Sequence, residues 1–242
     1  MLSKMFSETL GMAGAAWRIA RNARSTGLNR ELLGTTITGA PYPVLHRHGR
    51  AYAAATDDHH PSYNAADGIA PPLFAVRVLS GPMSRLLLHP QLGMNFLRML
   101  HGEQAFRFLR PLSYGTTVTP TATLTGFREV STGIILEMGL EIRGEDGEDL
   151  VTGTSSFFLA TGGSSGEKKA PTPGATPFPD AAPGRFSRAF ETDPGQPSRY
   201  ASASGDRNPI HTNELIARLA GLPRPIMHGL CMMAMAGREV LA

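Results

Sequence analysis

The sequence predicts an α+β protein in which an antiparallel sheet wraps round one long central helix, and it predicts that arrangement in tandem. Between Pro72 and Leu88 the residues Leu73, Val76, Leu79, Met83, Leu86 and Leu87 recur at three- and four-residue spacing, the period of a largely buried helix. Strand-like runs follow it, which is how a sheet packed on one helix reads in sequence. The stretch Tyr52–Tyr63 also aligns without a gap on Tyr200–His211, matching at Tyr52, Ala53, Ala55, Asp58 and Pro61, so the chain reads as two copies of one ancestral unit.

In chain order, residues 1–34 form an N-terminal helical segment. Lys4, Arg18, Arg21 and Arg24 face a single Glu8, and Leu10, Ala13, Trp17 and Ala20 stand at helical spacing. Such a helix ordinarily docks on its own domain; a transit peptide or membrane-surface helix is the alternative. A first unit, 35–160, opens with short extended segments at Thr35–Thr38 and Pro41–Leu45, followed by a helix over His46–Ala55. After the long helix come strands at Glu103–Leu109, Thr116–Leu124, Gly133–Ile142 and Leu150–Leu159, read as a meander. Residues 161–184 are rich in Gly, Pro and Ser with no helix or strand period, and are read as a linker. The second unit, 185–242, begins with a strand-like Arg185–Phe190 and a helix over Pro194–Ala203, and ends in an apolar helix opened by Gly229.

The 41% hydrophobic and 18% charged residues describe an ordinary globular chain. A net charge of +3 with scattered Lys and Arg argues against a nucleic-acid stripe, while it suits an anionic ligand such as a phosphate-bearing carrier. Cys231 stands alone in an apolar run, so no internal disulfide forms and a reducing, cytoplasmic compartment fits. No apolar run reaches the ~18 residues of a membrane span.

The stretch Tyr200-Ala-Ser-Ala-Ser-Gly-Asp-Arg-Asn-Pro-Ile-His211, followed by His228-Gly229, combines an acid, an amide and an imidazole in a way that packing does not require. Asn208-Pro209 is a good helix start, with Asn208 as N-cap, which puts His211 in the first turn beside Asp206. A carboxylate and an imidazole on one rigid turn suit acid/base work on water. Gly229 would present its backbone N–H at the positive end of the last helix, where developing oxyanion charge is stabilised. Taken singly, Asp206 and Asn208 read as caps and His211 as a satisfied histidine; the combination with Ser204, Gly205 and His228 is what points to chemistry. Met227, Met232, Met233 and Met235 read as core. The first copy has His60 for Asn208, Tyr63 for His211 and no His-Gly pair in Ala70–Val76, so it reads as a site without chemistry. His59 and His60 lack the partners of a metal site.

At these residues the chain resembles the MaoC-like hydratases and dehydratases, also called (R)-specific enoyl-CoA hydratases or hydratase 2. The signature of an aromatic residue, Ser-Gly-Asp-x-Asn-Pro-Ile-His and a downstream His-Gly is met by Tyr200, Ser204–Asp206, Asn208–His211 and His228-Gly229. The whole chain looks like the double-hotdog members, in which an N-terminal hotdog without catalytic residues precedes one that has them. The resemblance implies a hydro-lyase of fatty-acid metabolism that adds water reversibly to a trans-2-enoyl thioester, giving the (3R)-hydroxyacyl thioester. It implies Asp206, His211, Asn208 and Gly229 as catalytic residues, with Ser204, Gly205 and His228 binding substrate. No metal or redox cofactor is implied, and the substrate would ride on CoA or acyl carrier protein.

Other readings are a non-catalytic acyl-thioester binding or scaffold subunit and a hotdog thioesterase, against which the Asp-x-Asn-Pro-Ile-His spacing argues. The second unit reaches Ala242 inside its helix with no strands after it, where the family pattern continues. The expectation is an incomplete second hotdog, or one whose sheet comes from a partner, in a homodimer or heterodimer.

Overall fold

The computed structural model describes residues 29–93, 99–160, 189–219 and 221–241. Residues 1–28 of the N-terminal helical segment expected over 1–34 and the 161–184 linker lie outside these residues, and Arg30–Leu32 forms a 3₁₀ turn; four of the six residues of the strand expected at 185–190 also lie outside. Ala189 and Phe190, the other two, carry no strand.

The ordered elements are β1 (Thr36–Thr38), β2 (Tyr42–Pro43), α1 (His46–Ala55), α2 (Ala75–Leu87), β3 (Met99–Phe108), β4 (Thr117–Val130), β5 (Gly133–Arg143), β6 (Asp149–Ala160), α3 (Gln196–Ser204), α4 (Glu214–Leu219) and α5 (Gly229–Leu241). The long helix is α2, led in by a 3₁₀ turn at Pro72–Phe74. Its Val76, Val78, Leu79, Met83, Leu86 and Leu87 are buried with the inward residues of β4 and β5, among them Val118, Ala122, Leu124, Leu136, Met138, Leu140 and Ile142. The strict alternation of buried and half-buried positions over Thr117–Leu124 is the period-2 signature of a strand with one face on the core. Leu86 is fully buried at the centre of this contact. Leu86→Ala is expected to cost about 2–5 kcal/mol, read as a lower urea midpoint, because it removes a fully buried side chain from the core cluster and leaves a cavity.

The sheet is antiparallel with strand order β1-β4-β5-β6-β3, and β2 also pairs with β4. This corrects the expected meander. Strands β4 to β6 are consecutive neighbours, but β3 lies at the far edge, running from Met99 opposite Leu159 to Phe108 opposite Val151. Residues 109–116 make the crossing and bury Leu112 and Tyr114 on the way, with the Tyr114 hydroxyl donating to the Tyr63 carbonyl at 3.0 Å. Gly49 on α1 permits this approach, since a Cβ there would fall 2.3 Å from the Tyr114 hydroxyl. Strand β3 also starts four residues before the expected Glu103, because a register shift between His101 and Gln104 interrupts its alternation.

The second unit's helices share the same core: Tyr200, Ala203, Cys231, Ala234 and Met235 are buried in one cluster with Tyr52 and Phe74. Helix α5 leaves Met232, Met233 and Val240 exposed. All the strands named above lie within residues 36–160. No helix among the described residues is long and apolar enough to cross a membrane.

Candidate active site

The motif folds as a chain of local caps. Helix α3 ends at Ser204, and Gly205 takes a left-handed φ of 85° that returns its N–H to the Ala201 carbonyl, a conformation that glycine adopts without strain. The Ser204 hydroxyl donates to the Tyr200 carbonyl at 2.8 Å and accepts the Asp206 N–H at 3.1 Å. Asp206 Oδ1 then accepts the Asn208 N–H at 3.1 Å, and Asn208 Oδ1 accepts the Ile210 N–H at 3.3 Å. Asn208 is thus the expected cap, but it opens a single 3₁₀ turn, Pro209–His211, instead of an α-helix. Thr212 breaks the turn at φ −130°, and Asn213, whose side chain accepts the Ile216 N–H, starts α4 afresh.

The segment before α5 runs back along this loop. His211 Nδ1 lies 2.8 Å from the Ile226 carbonyl, and His228 Nε2 lies 3.2 Å from the Asp206 carbonyl. Carbonyl oxygens only accept, so both of these ring nitrogens carry the proton. For neutral rings the tautomers follow: the lone pair is on Nε2 in His211 and on Nδ1 in His228, the latter buried with no partner among the described residues. The two rings stack with centroids 3.8 Å apart and an angle of 26° between their planes. Burial first, and then the neighbouring His211, push the His228 pKa down to about 4, against an opposing pull from Asp206.

The His228 shift makes stability depend on pH. In the unfolded chain His228 takes up a proton near 6.5, whereas the folded chain resists until about 4, so the unfolded state binds more protons between those values. This contribution is complete above about pH 6.5 and is lost as pH falls to about 4, at most on the order of 3 kcal/mol. Urea midpoints at pH 7 and 4.5 should therefore differ less in His228→Phe than in the unaltered chain.

The structure brings Asp206 and His211 together, both half-buried, with Asn208 and Gly205 exposed beside them. Gly229 opens α5, and its N–H has no acceptor among the described residues. Two residues expected as substrate contacts are buried: Ser204 is 0% exposed with its hydroxyl already donating and accepting inside the turn, and His228 is 1% exposed. One ligand-capable atom each from Asp206, His211 and His228 lies within 4.8 Å of the others. This set suits a cation poorly, since one nitrogen of each histidine is committed to a carbonyl and the remaining His228 nitrogen is buried.

Sequence reasoning missed His101. It sits on β3, stacked on Phe157 at 4.7 Å with Nε2 2.9 Å from the Ser155 hydroxyl. Burial pushes its pKa down while the Asp206 carboxylate pulls it up. Standing 105 positions before Asp206 and outside both copies of the motif, it gave no sequence signal.

The first copy repeats the geometry without the chemistry. Asp57 takes the left-handed role of Gly205 at φ 52°, Asp58 Oδ1 accepts the His60 N–H, and His60 Nδ1 accepts the Ser62 N–H where Asn208 Oδ1 serves in the second copy. A 3₁₀ turn follows at Pro61–Tyr63, with Tyr63 buried in the place of His211. Phe74 occupies the place of His228, meeting Tyr52 as His228 meets Tyr200. His60 is therefore a turn cap.

A helix wrapped by a five-strand antiparallel path, with an acid and an imidazole held on a loop that the other half echoes, defines a hotdog-type protein with one equipped copy of a duplicated site. Comparison with known proteins gives the family. Residues 31–152 match the FAS1-like dehydratase domain region and residues 179–242 match the MaoC like domain. The chain belongs to the MaoC-like dehydratases. It is 33% identical over 187 residues to peroxisomal multifunctional enzyme type 2 of Drosophila melanogaster, covering 74% of this chain and 31% of that protein. Over 149 residues it is 33% identical to 3-hydroxyacyl-thioester dehydratase Y of Mycobacterium tuberculosis, covering 60% of this chain and 50% of that one. The solved MaoC-like dehydratase of Phytophthora capsici superposes with a TM-score of 0.67 at 28% identity, covering 87% of this chain and 75% of that chain. The chain thus spans half or less of the length of these two curated relatives.

Proposed function

We propose that the chain hydrates trans-2-enoyl thioesters reversibly, giving (3R)-hydroxyacyl thioesters, with the acyl group carried on CoA or acyl carrier protein. The observation that carries the reading is the His211 Nδ1 contact with the Ile226 carbonyl: it spends Nδ1–H and leaves Nε2 of the neutral ring as a base, on a side chain grouped with the Asp206 carboxylate. In the hydration direction, Nε2 takes a proton from water as the water oxygen bonds to C3 of the enoyl group. The Asp206 carboxylate orients that water and offsets the charge of the resulting imidazolium. Negative charge moves to the thioester oxygen, where the Gly229 N–H at the positive end of α5 receives it. The imidazolium then returns its proton to C2, so one water has been added across C2=C3 and the site is restored. The cycle needs no redox cofactor or metal. Asn208 holds the turn through Oδ1, leaving its amide NH₂ for substrate or water. The name of the Mycobacterium tuberculosis relative supports the same reaction read in reverse.

The test follows the absorbance of a conjugated enoyl-CoA and, in parallel, the release of free thiol. Loss of the enoyl band without thiol is the expected result, with chiral analysis giving the (3R) product. Thiol release would point to a thioesterase, and binding with neither signal to a scaffold.

A further inference from the structure

Five aromatic rings form a ladder across the two units. Phe74 meets Tyr52 at 5.9 Å and 90°, Tyr52 meets Tyr200 at 5.6 Å and 61°, Tyr200 meets His228 at 5.0 Å and 53°, and His228 stacks on His211 at 3.8 Å. The repeat relates Tyr52 to Tyr200 and Phe74 to His228, so the tyrosine pair is where the two copies meet in the ladder. There the two hydroxyls hydrogen-bond at 3.2 Å, and both side chains are 0% exposed.

We infer that Tyr52 and Tyr200 are positioning residues for the Asp206–His211 pair, so that the first unit supplies a working part of a site it does not itself contain. Among the described residues His228 has one polar anchor, the Asp206 carbonyl, since its other nitrogen is unpartnered there. The rest of its placement comes from its ring neighbours Tyr200 and His211. Tyr200 reaches Asp206 by a second route as well, because its carbonyl accepts the Ser204 hydroxyl and that hydroxyl accepts the Asp206 N–H. Both limbs of the site, the imidazole stack and the carboxylate loop, therefore start from one tyrosine. That tyrosine's hydroxyl is tied to the first unit through Tyr52, 148 positions away. A pair of phenylalanines would fill the same space; a buried hydroxyl pair adds a directional contact that sets the register of the two units. In the first copy the same strut ends at Phe74, which has no polar atom to pass on.

The kinetic part of the test rests on the proposed hydration; the spectroscopic part does not. Tyr52→Phe, Tyr200→Phe and the double variant would be made in the full chain, and the imidazole nitrogens of His211 and His228 followed by ¹⁵N NMR alongside enoyl-CoA hydration. Each single variant is expected to lower kcat about ten-fold with KM within about two-fold, as small misplacements of catalytic groups do. The imidazole signals should move in Tyr52→Phe although Tyr52 touches neither ring. The double variant should be no slower than the singles, since either change removes the same hydrogen bond, and it leaves no orphan hydroxyl to unfold the chain. Unchanged imidazole spectra and kcat, with only the urea midpoint lowered, would overturn the inference by showing a purely structural contact. If the unaltered chain hydrates no enoyl thioester, the proposed function fails and the imidazole spectra alone decide the positioning role.

Discussion

His211→Ala is expected to slow hydration of an enoyl-CoA by about 10²–10⁴-fold, the usual cost of deleting a general acid/base. In the proposed cycle Nε2 of this ring both takes the water's proton and returns it to C2, so its removal should act on kcat more than on KM. The fold should tolerate the change. The ring is half-buried, the Ile226 carbonyl it leaves can bond to water, and Asp206 and Asn208 keep their own turn contacts. A second readout confirms that the ring has gone without collapse of the site: His211 helps to depress the His228 pKa, so His228 should titrate at a higher pH in the variant. A variant that kept more than about a tenth of the rate would remove His211 from the mechanism.

The repeat carried most of what could be read of this site before its geometry was known. Tyr52–Tyr63 and Tyr200–His211 fold into the same helix end, left-handed residue and 3₁₀ turn, and they differ at His60, which caps the turn, and at Tyr63, which packs in the core. Periodicity likewise gave α2, whose apolar face lies on the core, and the bodies of β4 and β5 alternate because each has one face on the core. Strand order was not legible, since the partner of β3 is chosen by a crossing segment anchored at Tyr114, a contact distant in sequence. Ser204 and His228 looked like substrate contacts because they adjoin the motif; their burial depends on how α3 and α5 pack against the first unit. The hydrogen bond between Tyr52 and Tyr200 was hidden for the same reason, although both tyrosines stood in the alignment.

Asp206→Asn separates charge from shape at the other half of the pair. The amide keeps an oxygen that can accept the Asn208 N–H as Oδ1 does now, so the turn and the placement of His211 should persist. Only the negative charge is lost. A fall of about 10²–10⁴-fold in kcat is expected, because the imidazolium formed at His211 loses the charge that stabilises it and the water loses its acceptor. The loss of charge can be read independently of rate: the carboxylate raises the pKa of His101, which should fall further in the variant. If Asp206 and His211 act as one unit, the double variant Asp206→Asn with His211→Ala will be little slower than the worse single, since groups that work together are not additive. Full multiplication of the two losses would instead mean that each group serves a separate step, and the proton would then have to reach C2 from Asp206 instead of returning from His211.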